Sequence, residues 1–350
     1  MSRSQPSRRG MTRRSVLKQA AAASVAAGLP SCSESPAPRV KPGESVAILK
    51  ADRYDDSLLA VMEAGFELVP PPDVNGKRVL LKPNLVDLPR DNRPSVTNPA
   101  VIAAAAEAFR KRGAAEIIVG DGPALQRDAV QIVDAIGLTT VLKDHGLPFV
   151  DLATDTPIGV ANRGVFTENT QIFFAKTAVE ADVLVSMPKM KTHHWAGASL
   201  SLKNLFGITS AMAYGWPRNR FHLQGLHRLV LDINRTRGAD YAIVDAVVGL
   251  QGDGPILGDP IDVGALVMGR NSTAVDATCA RLMEIDPTQI RYLNLATWLL
   301  GPVAETDIEQ RGETIATSAR SFELLPHQAY LRPGSTLPAD PSSSAAGLVI

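Results

Sequence analysis

Val183-Leu184-Val185-Ser186-Met187 runs directly into Pro188-Lys189-Met190-Lys191-Thr192-His193-His194. The first part is a short, nearly continuous apolar run, the pattern of a strand covered on both faces. The second part is a polar loop rich in lysine and histidine. Working outward, the same grammar recurs. Ser45 to Leu49, Arg78 to Leu81, Glu116 to Val119, Phe149 to Leu152, Gln171 to Phe174, Tyr241 to Val244 and Val263 to Met268 read as strands. Between them lie helical patterns at Asp56 to Ala64, Asn98 to Gly113, Ala129 to Ile136, Ser199 to Gly207, Leu223 to Thr236, Thr273 to Met283 and Thr288 to Leu300. Asn98-Pro99 supplies a cap and a first-turn proline, and Gly113 supplies a stop. Strands alternating with helices predict an α/β fold, a mostly parallel sheet with helices on both faces. The stretch around 150–235 leaves room for an antiparallel edge or a small inserted subdomain.

In open α/β sheets ligands sit at the carboxyl ends of the strands. Four predicted strands end in polar residues: Lys82-Pro83-Asn84, Asp121, the Lys189-to-His194 run, and Asp245 ahead of the glycine loop Gly249 to Gly258. One such residue is ordinarily a turn or a cap; four on one edge point to a site. From Val183 to Leu231, 49 residues contain no Asp or Glu, where the chain's average density would put about five. The same window holds Lys189, Lys191, Lys203, Arg218, Arg220, Arg228 and four of the six histidines. Two explanations stand: a positive field focused on an anion, or a solvated basic face paired with acids from elsewhere.

Ser199-Leu200-Ser201-Leu202-Lys203-Asn204 places hydroxyls at a helix start, whose free N–H groups suit a phosphate or carboxylate. Lys191 and Lys203 would add point charges. His193 and His194 are neighbours in an extended segment and should point apart, so at most one should face the site. Metal ligation would need His222, His227 or a carboxylate brought from elsewhere, because no HExxH-like spacing is present. Asp276, in a first helical turn, has a simple structural explanation.

The chain has 36 basic and 36 acidic residues. Residues 1–31 carry six of the basic ones and none of the acids, leaving 30 against 36 beyond them, a net charge of −6. That balance argues against nucleic acid as a general partner. Thr12-Arg13-Arg14-Ser15-Val16-Leu17-Lys18 followed by the Ala-rich Ala20 to Leu29 reads as a twin-arginine export signal. The expected organisation is a signal at 1–32, a tether at 33–44, the α/β domain at 45–320 and a disordered tail at 321–350. The expected first partner is the twin-arginine translocation machinery, and the expected location is the periplasm or the outer side of the membrane. Leu29-Pro30-Ser31-Cys32 resembles a lipoprotein cleavage box, which would make Cys32 a membrane tether; cleavage after Ala26 or Ala27 is the alternative. Cys279 is the only other cysteine, which excludes a disulfide framework and a CxxC metal or cluster site.

Leu81-Lys82-Pro83-Asn84-Leu85, Thr97-Asn98-Pro99, Val119-Gly120-Asp121, the Pro188-to-His193 run, Ser199 to Gly207, and Asp245 through Gly254-Pro255 together resemble the domain of unknown function 362 proteins. The resemblance covers about residues 45–300. Some relatives carry a ferredoxin-like cluster segment, whose cysteines this chain lacks. More loosely, the domain pattern is similar to the ligand-binding half of nickel-pincer lactate racemases, a likeness of fold only. The expected site thus has Lys82, Asn84, Lys189, Lys191, Thr192, Ser201, Lys203, Asn204, Gly252 and Gly254 around an anionic ligand. His193 would transfer a proton, and Asp121 or Asp245 would orient a ligand or metal. The sequence names no cofactor and leaves two functions open, an exported enzyme acting on an anion and a periplasmic binding or accessory lipoprotein.

Overall fold

Two apolar faces on the same strands decide the layering. In the computed structural model, which describes residues 43–124, 128–216 and 225–335, successive strand residues enter different cores. Ala47 and Leu49 join one cluster with Leu81, Val185, Ile243 and Met268, while Val46 and Ile48 join another with Ala242, Val244 and Val267. This period of two is what a sheet covered on both faces requires. The stretch expected to be an export signal, Cys32, most of the expected tether, and Arg218, Arg220 and His222 lie outside the described residues.

In chain order the strands are β1 (Glu44–Lys50), β2 (Arg78–Pro83), β3 (Glu116–Asp121), β4 (Phe149–Asp151), β5 (Pro157–Ala161), β6 (Gln171–Ala175), β7 (Val183–Met187), β8 (Lys189–His193), β9 (Gly197–Ser199), β10 (Tyr241–Gln251), β11 (Asp259–Gly269) and β12 (Ile308–Gly312). The principal helices are α1 (Ser57–Leu68), α2 (Pro99–Lys111), α3 (Ala129–Ala135), α4 (Leu138–Asp144), α5 (Lys176–Glu180), α6 (Ser201–Asn204), α7 (Ala211–Tyr214), α8 (Leu226–Thr236), α9 (Ser272–Leu282) and α10 (Arg291–Ala296). The main sheet runs β12-β1-β11-β10-β7-β2-β3-β4, with β8 paired to β10 and β9 to β8. β10, β7, β2, β3 and β4 are parallel neighbours, and β11 is antiparallel to both β1 and β10. β5 and β6 form a separate antiparallel pair, the small insertion expected near residue 150.

Local chemistry sets the helices. Asn98 caps α2 by accepting from the Ala100 amide at 2.9 Å, with Pro99 in the first turn. α1 buries Leu58, Met62, Gly65 and Phe66 along one stripe. A Cβ on Gly65 would stand 2.5 Å from Met268 Sδ, so the glycine lets α1 lie close on the sheet.

Four expectations are corrected. The tail does not end its order at 321: Phe322 and Leu331 are fully buried, and Gln328 donates to the His193 carbonyl at 2.8 Å. The apolar residues inside the Pro-rich run explain this, since they pack against the α9 side of the sheet. Lys189 to His193 is a strand and not a loop. β10 extends past Val244 to Gln251, pairing with β7 through Tyr241 and Ala242 and then with β8 through Asp245 and Leu250. Asp245 therefore lies inside a strand, and Gly249 and Leu250 belong to β10 rather than to the glycine loop. Last, Ser199 to Gly207 divides into the end of β9, the short α6, and a 3₁₀ turn at Leu205–Ile208.

Candidate functional site

From β2 the chain proceeds to β3 and β4 on one side, while β7 and β10 lie on the other. The gap beyond the carboxyl ends of β2 and β7 is therefore the point where the strand order reverses, the usual place for a ligand crevice. A cavity of about 430 Å³ opens there. Of the residues expected at the site, Lys82, Asn84, Asp121, Lys191, His193, Lys203 and Asn204 line it.

The floor is a closed pair. Lys82 at the end of β2 meets Asp121 at the end of β3 at 2.6 Å, both buried. Lys82 also donates to Asn204 Oδ1 at 2.8 Å, and Asn204 donates back to the Lys82 carbonyl and to Ser186 Oγ, each at 3.1 Å. Asp121 further accepts from the Leu85 amide at 2.6 Å and the Gly122 amide at 2.8 Å. A Cβ on Gly207 would fall 2.1 Å from Asp121 Oδ1 and 2.6 Å from Lys82 Nζ, so the pair presses against bare backbone.

β8 presents Lys189, Lys191 and His193 at alternate positions, one face of a strand, while Met190 enters the opposite core. Lys189 is neutralised. Its Nζ lies 3.0 Å from Asp245 Oδ2 and 2.6 Å from the Tyr54 hydroxyl, which donates to Asp245 Oδ1 at 2.9 Å. The Asn98 amide completes Asp245 at 2.9 Å. Neither Lys189 nor Asp245 lines the cavity, so the structure does not bring them to the other site residues. Burial lowers the Lys189 ammonium and Asp245 offsets part of that, while burial and Asp245 both raise the Tyr54 phenol.

Lys191, two residues on, makes no ion pair with a carboxylate among the described residues, and Asp121 only partly offsets the influences that lower it. It is fully buried, and its ammonium donates to the Ser95 carbonyl at 2.7 Å. Burial, then the cations of Lys203 and Lys189, hold it well below the usual lysine range. Lys203 lines the same cavity with neither an ion pair nor a hydrogen bond from its ammonium among the described residues. Burial and then Lys82 pull it down to about 8. A solvated basic face is thereby ruled out for Lys191, while Lys203 is only partly exposed.

Both histidines of the pair line the cavity, against the expectation of one. β8 ends at His193 and the chain turns, bringing the two rings to 4.9 Å at 43°. His193 Nδ1 accepts from the Trp195 amide at 3.1 Å and the Ala196 amide at 3.2 Å. A neutral ring so held carries its proton on Nε2. In that tautomer His193 could give its Nε2 proton to a ligand as an acid, but Nδ1 would not take one up as a base. His194 Nδ1 lies 2.8 Å from the Gly254 carbonyl.

Other expected residues do structural work. The N–H groups at the start of α6 are already taken: Asp276 accepts from Ser201 at 2.7 Å and Leu202 at 2.9 Å. The carboxylate expected there from a ligand is the protein's own, and burial pushes it up to about 8 despite those two donors. Ser201 Oγ turns to Ser272 Oγ at 3.0 Å, away from the cavity. Thr192 Oγ1 donates to the Gly252 carbonyl at 2.9 Å. Gly254 allows that loop to touch β8, since a Cβ would fall 2.0 Å from the Thr192 carbonyl oxygen. Gly252 and Gly254 thus shape the wall, while Asp253 and Pro255 line it. His227 stacks on Tyr292 at 15°, and burial, then Arg291 and Lys203, lower it to about 4. Among the described residues no group of three or more His, Cys, Asp or Glu side chains could hold a metal ion.

Sequence reasoning missed Tyr54, Ser95, Arg90, Trp195 and Asp253. Tyr54 sits in an unremarked segment before α1 and reaches Asp245 only through the fold. Trp195 directly follows the quoted run, and its position next to two cavity histidines was a usable signal.

A mixed α/β domain with a cationic cavity at its strand-order switch point is the class of protein defined so far. The chain belongs to the family described as "Domain of unknown function (DUF362)", whose model matches residues 79–281. It is 30% identical over 267 residues to the thylakoid-associated protein sll1697 of Synechocystis sp., covering 71% of this chain and 77% of that relative. Among solved structures, the lactate racemase apoprotein from Thermoanaerobacterium thermosaccharolyticum is similar at 14% identity and a TM-score of 0.46. The match covers 72% of this chain and 59% of the racemase, less than two thirds of that structure's length.

Proposed function

We propose that the cavity binds an anionic small molecule, bearing phosphate or carboxylate, on which the protein acts as an enzyme. The observation that carries this is that Lys191 and Lys203 line one cavity and neither makes an ion pair with a carboxylate among the described residues, the nearby Asp121 being paired with Lys82. Buried charges without counter-ions are costly, and a ligand anion would supply the missing one. Lys82 cannot serve as freely, because Asp121 already holds it. Lys191 would fix the anion. Lys203, lowered to about 8, would exchange a proton with the ligand near neutral pH. His193 would donate from Nε2 to a ligand oxygen, as a neutral imidazole can.

The same chain is proposed to work outside the cytoplasm, supported by the twin arginines Arg13 and Arg14, with Cys32 as an anchor to the membrane. Cell fractionation of the wild type and of Arg13→Lys/Arg14→Lys tests this; retention of the double variant in the cytoplasm is expected, and unchanged export would overturn it.

A second reading, ligand binding without catalysis, is favoured by one observation: two backbone amides occupy His193 Nδ1, and Asp121 is spent on Lys82. Thermal unfolding with inorganic phosphate or succinate tests the binding common to both. Either anion should raise the midpoint in the wild type, and Lys191→Ala and Lys203→Ala should each remove most of the rise. An equal rise in the variants would sink the assignment. Once a ligand is identified, product analysis with the wild type separates the readings: an enzyme converts the ligand, whereas a binding protein returns it unchanged.

A further inference from the structure

The cavity is two-sided in character. Its inner wall is cationic, formed by Lys191 and Lys203 beside the Lys82–Asp121 pair. Its mouth is mixed, with an apolar part formed by Trp195, Leu257, Ile256 and Pro255 beside the exposed, charged Arg90 and Asp253. Trp195 is 50% exposed and Leu257 48%, and both sit on the rim of the same cavity. Large apolar side chains left in water beside a formed pocket mark a binding surface. Trp195 is also held in place: its ring stands edge-on to His194 at 4.7 Å and 90°, and its amide is bonded to His193. At about 430 Å³ the cavity falls within the roughly 300–1,000 Å³ range of sites for organic ligands, which a bare inorganic anion would leave mostly empty.

We propose that the ligand is an amphipathic anion, a phosphate or carboxylate head on an apolar body of roughly ten or more non-hydrogen atoms. The head sits between Lys191 and Lys203, and the body covers Trp195 and Leu257. This rests on the anion reading above and adds the class of ligand. The charged wall alone would select any small anion, and the rim alone any oily molecule. Only a molecule with both ends uses the whole cavity.

The test is a calorimetric series on the full protein with inorganic phosphate, phenyl phosphate, 2-naphthyl phosphate and 2-naphthol, repeated with acetate and 2-naphthoate to identify the head group. 2-Naphthyl phosphate is expected to bind at least about tenfold tighter than inorganic phosphate, from the apolar area it buries. Trp195→Ala and Leu257→Ala should each reduce that advantage several-fold and leave inorganic phosphate unchanged. Trp298→Ala, at an equally exposed tryptophan that does not line the cavity, should change neither. Lys203→Met should weaken both phosphates together. Equal affinity of the two phosphates, still abolished by Lys203→Met, would overturn the amphipathic class and leave anion binding standing. Binding of 2-naphthol as tight as that of its phosphate, or of no anion at all, would overturn both.

Discussion

Lys189 and Lys191 stand two residues apart on one face of β8, both fully buried, yet their surroundings differ in kind. Lys189 is closed off by Asp245, Tyr54 and the Asn98 amide around it. Lys191 shares its space with Lys203 and donates to the Ser95 carbonyl, with no ion pair to a carboxylate among the described residues. The first arrangement spends its polar groups on one another and ties β8, β10 and the start of α2 together. The second leaves a buried amine whose protonated form burial disfavours, which folding alone does not reward.

The contrast can be broken most sharply with methionine. Lys189→Met strands the Asp245 carboxylate in the core and should cost about 3–5 kcal/mol, read as a large fall in the urea midpoint. Lys191→Met removes an unmatched charge at similar volume, so the unliganded protein should be unchanged or more stable, by up to about 1–4 kcal/mol. Equal losses in the two variants would erase the distinction. Next in size is Gly207→Ala, which drives a methyl into Lys82 and Asp121 and should cost about 1–3 kcal/mol in the same assay. Asp276→Ala frees the Ser201 and Leu202 amides and should cost about 1–2 kcal/mol. It should also weaken anion binding, because α6 carries Lys203.

The smallest expected effect is in pH. The folded protein releases the Lys203 proton near 8, while the unfolded chain keeps it to about 10.4. Between those values the unfolded state binds more protons, so this group makes unliganded stability rise with pH. Lys203→Met should flatten that rise.

Much of this was legible in the sequence. Val183 to Met187 and its sister runs read correctly as buried strands because continuous apolar runs have few other uses. Lys82, Asp121 and Lys191 were placed at one edge because parallel strands align their carboxyl ends. The failures share a cause: they depend on partners far away in the chain. Nothing local reveals that Asp276 would fill the start of α6, or that Tyr54 would cross to Asp245. Lys189 to His193 looked like a loop because its pairing partner β10 lies some fifty residues on. The burial of Phe322 and Leu331 was hidden by the prolines around them.

Proton uptake on anion binding gives the most direct test that Lys191 and Lys203 are a vacant counter-charge site. Titrating inorganic phosphate into the protein near pH 8, in two buffers of different ionisation enthalpy, measures it. The wild type should take up protons as the anion raises both lysines toward their ordinary range. Lys191→Met/Lys203→Met should neither bind nor take up protons, and Lys189 variants that fold should behave as the wild type. Binding of phosphate with no proton uptake, or binding that survives the double substitution, would contradict it.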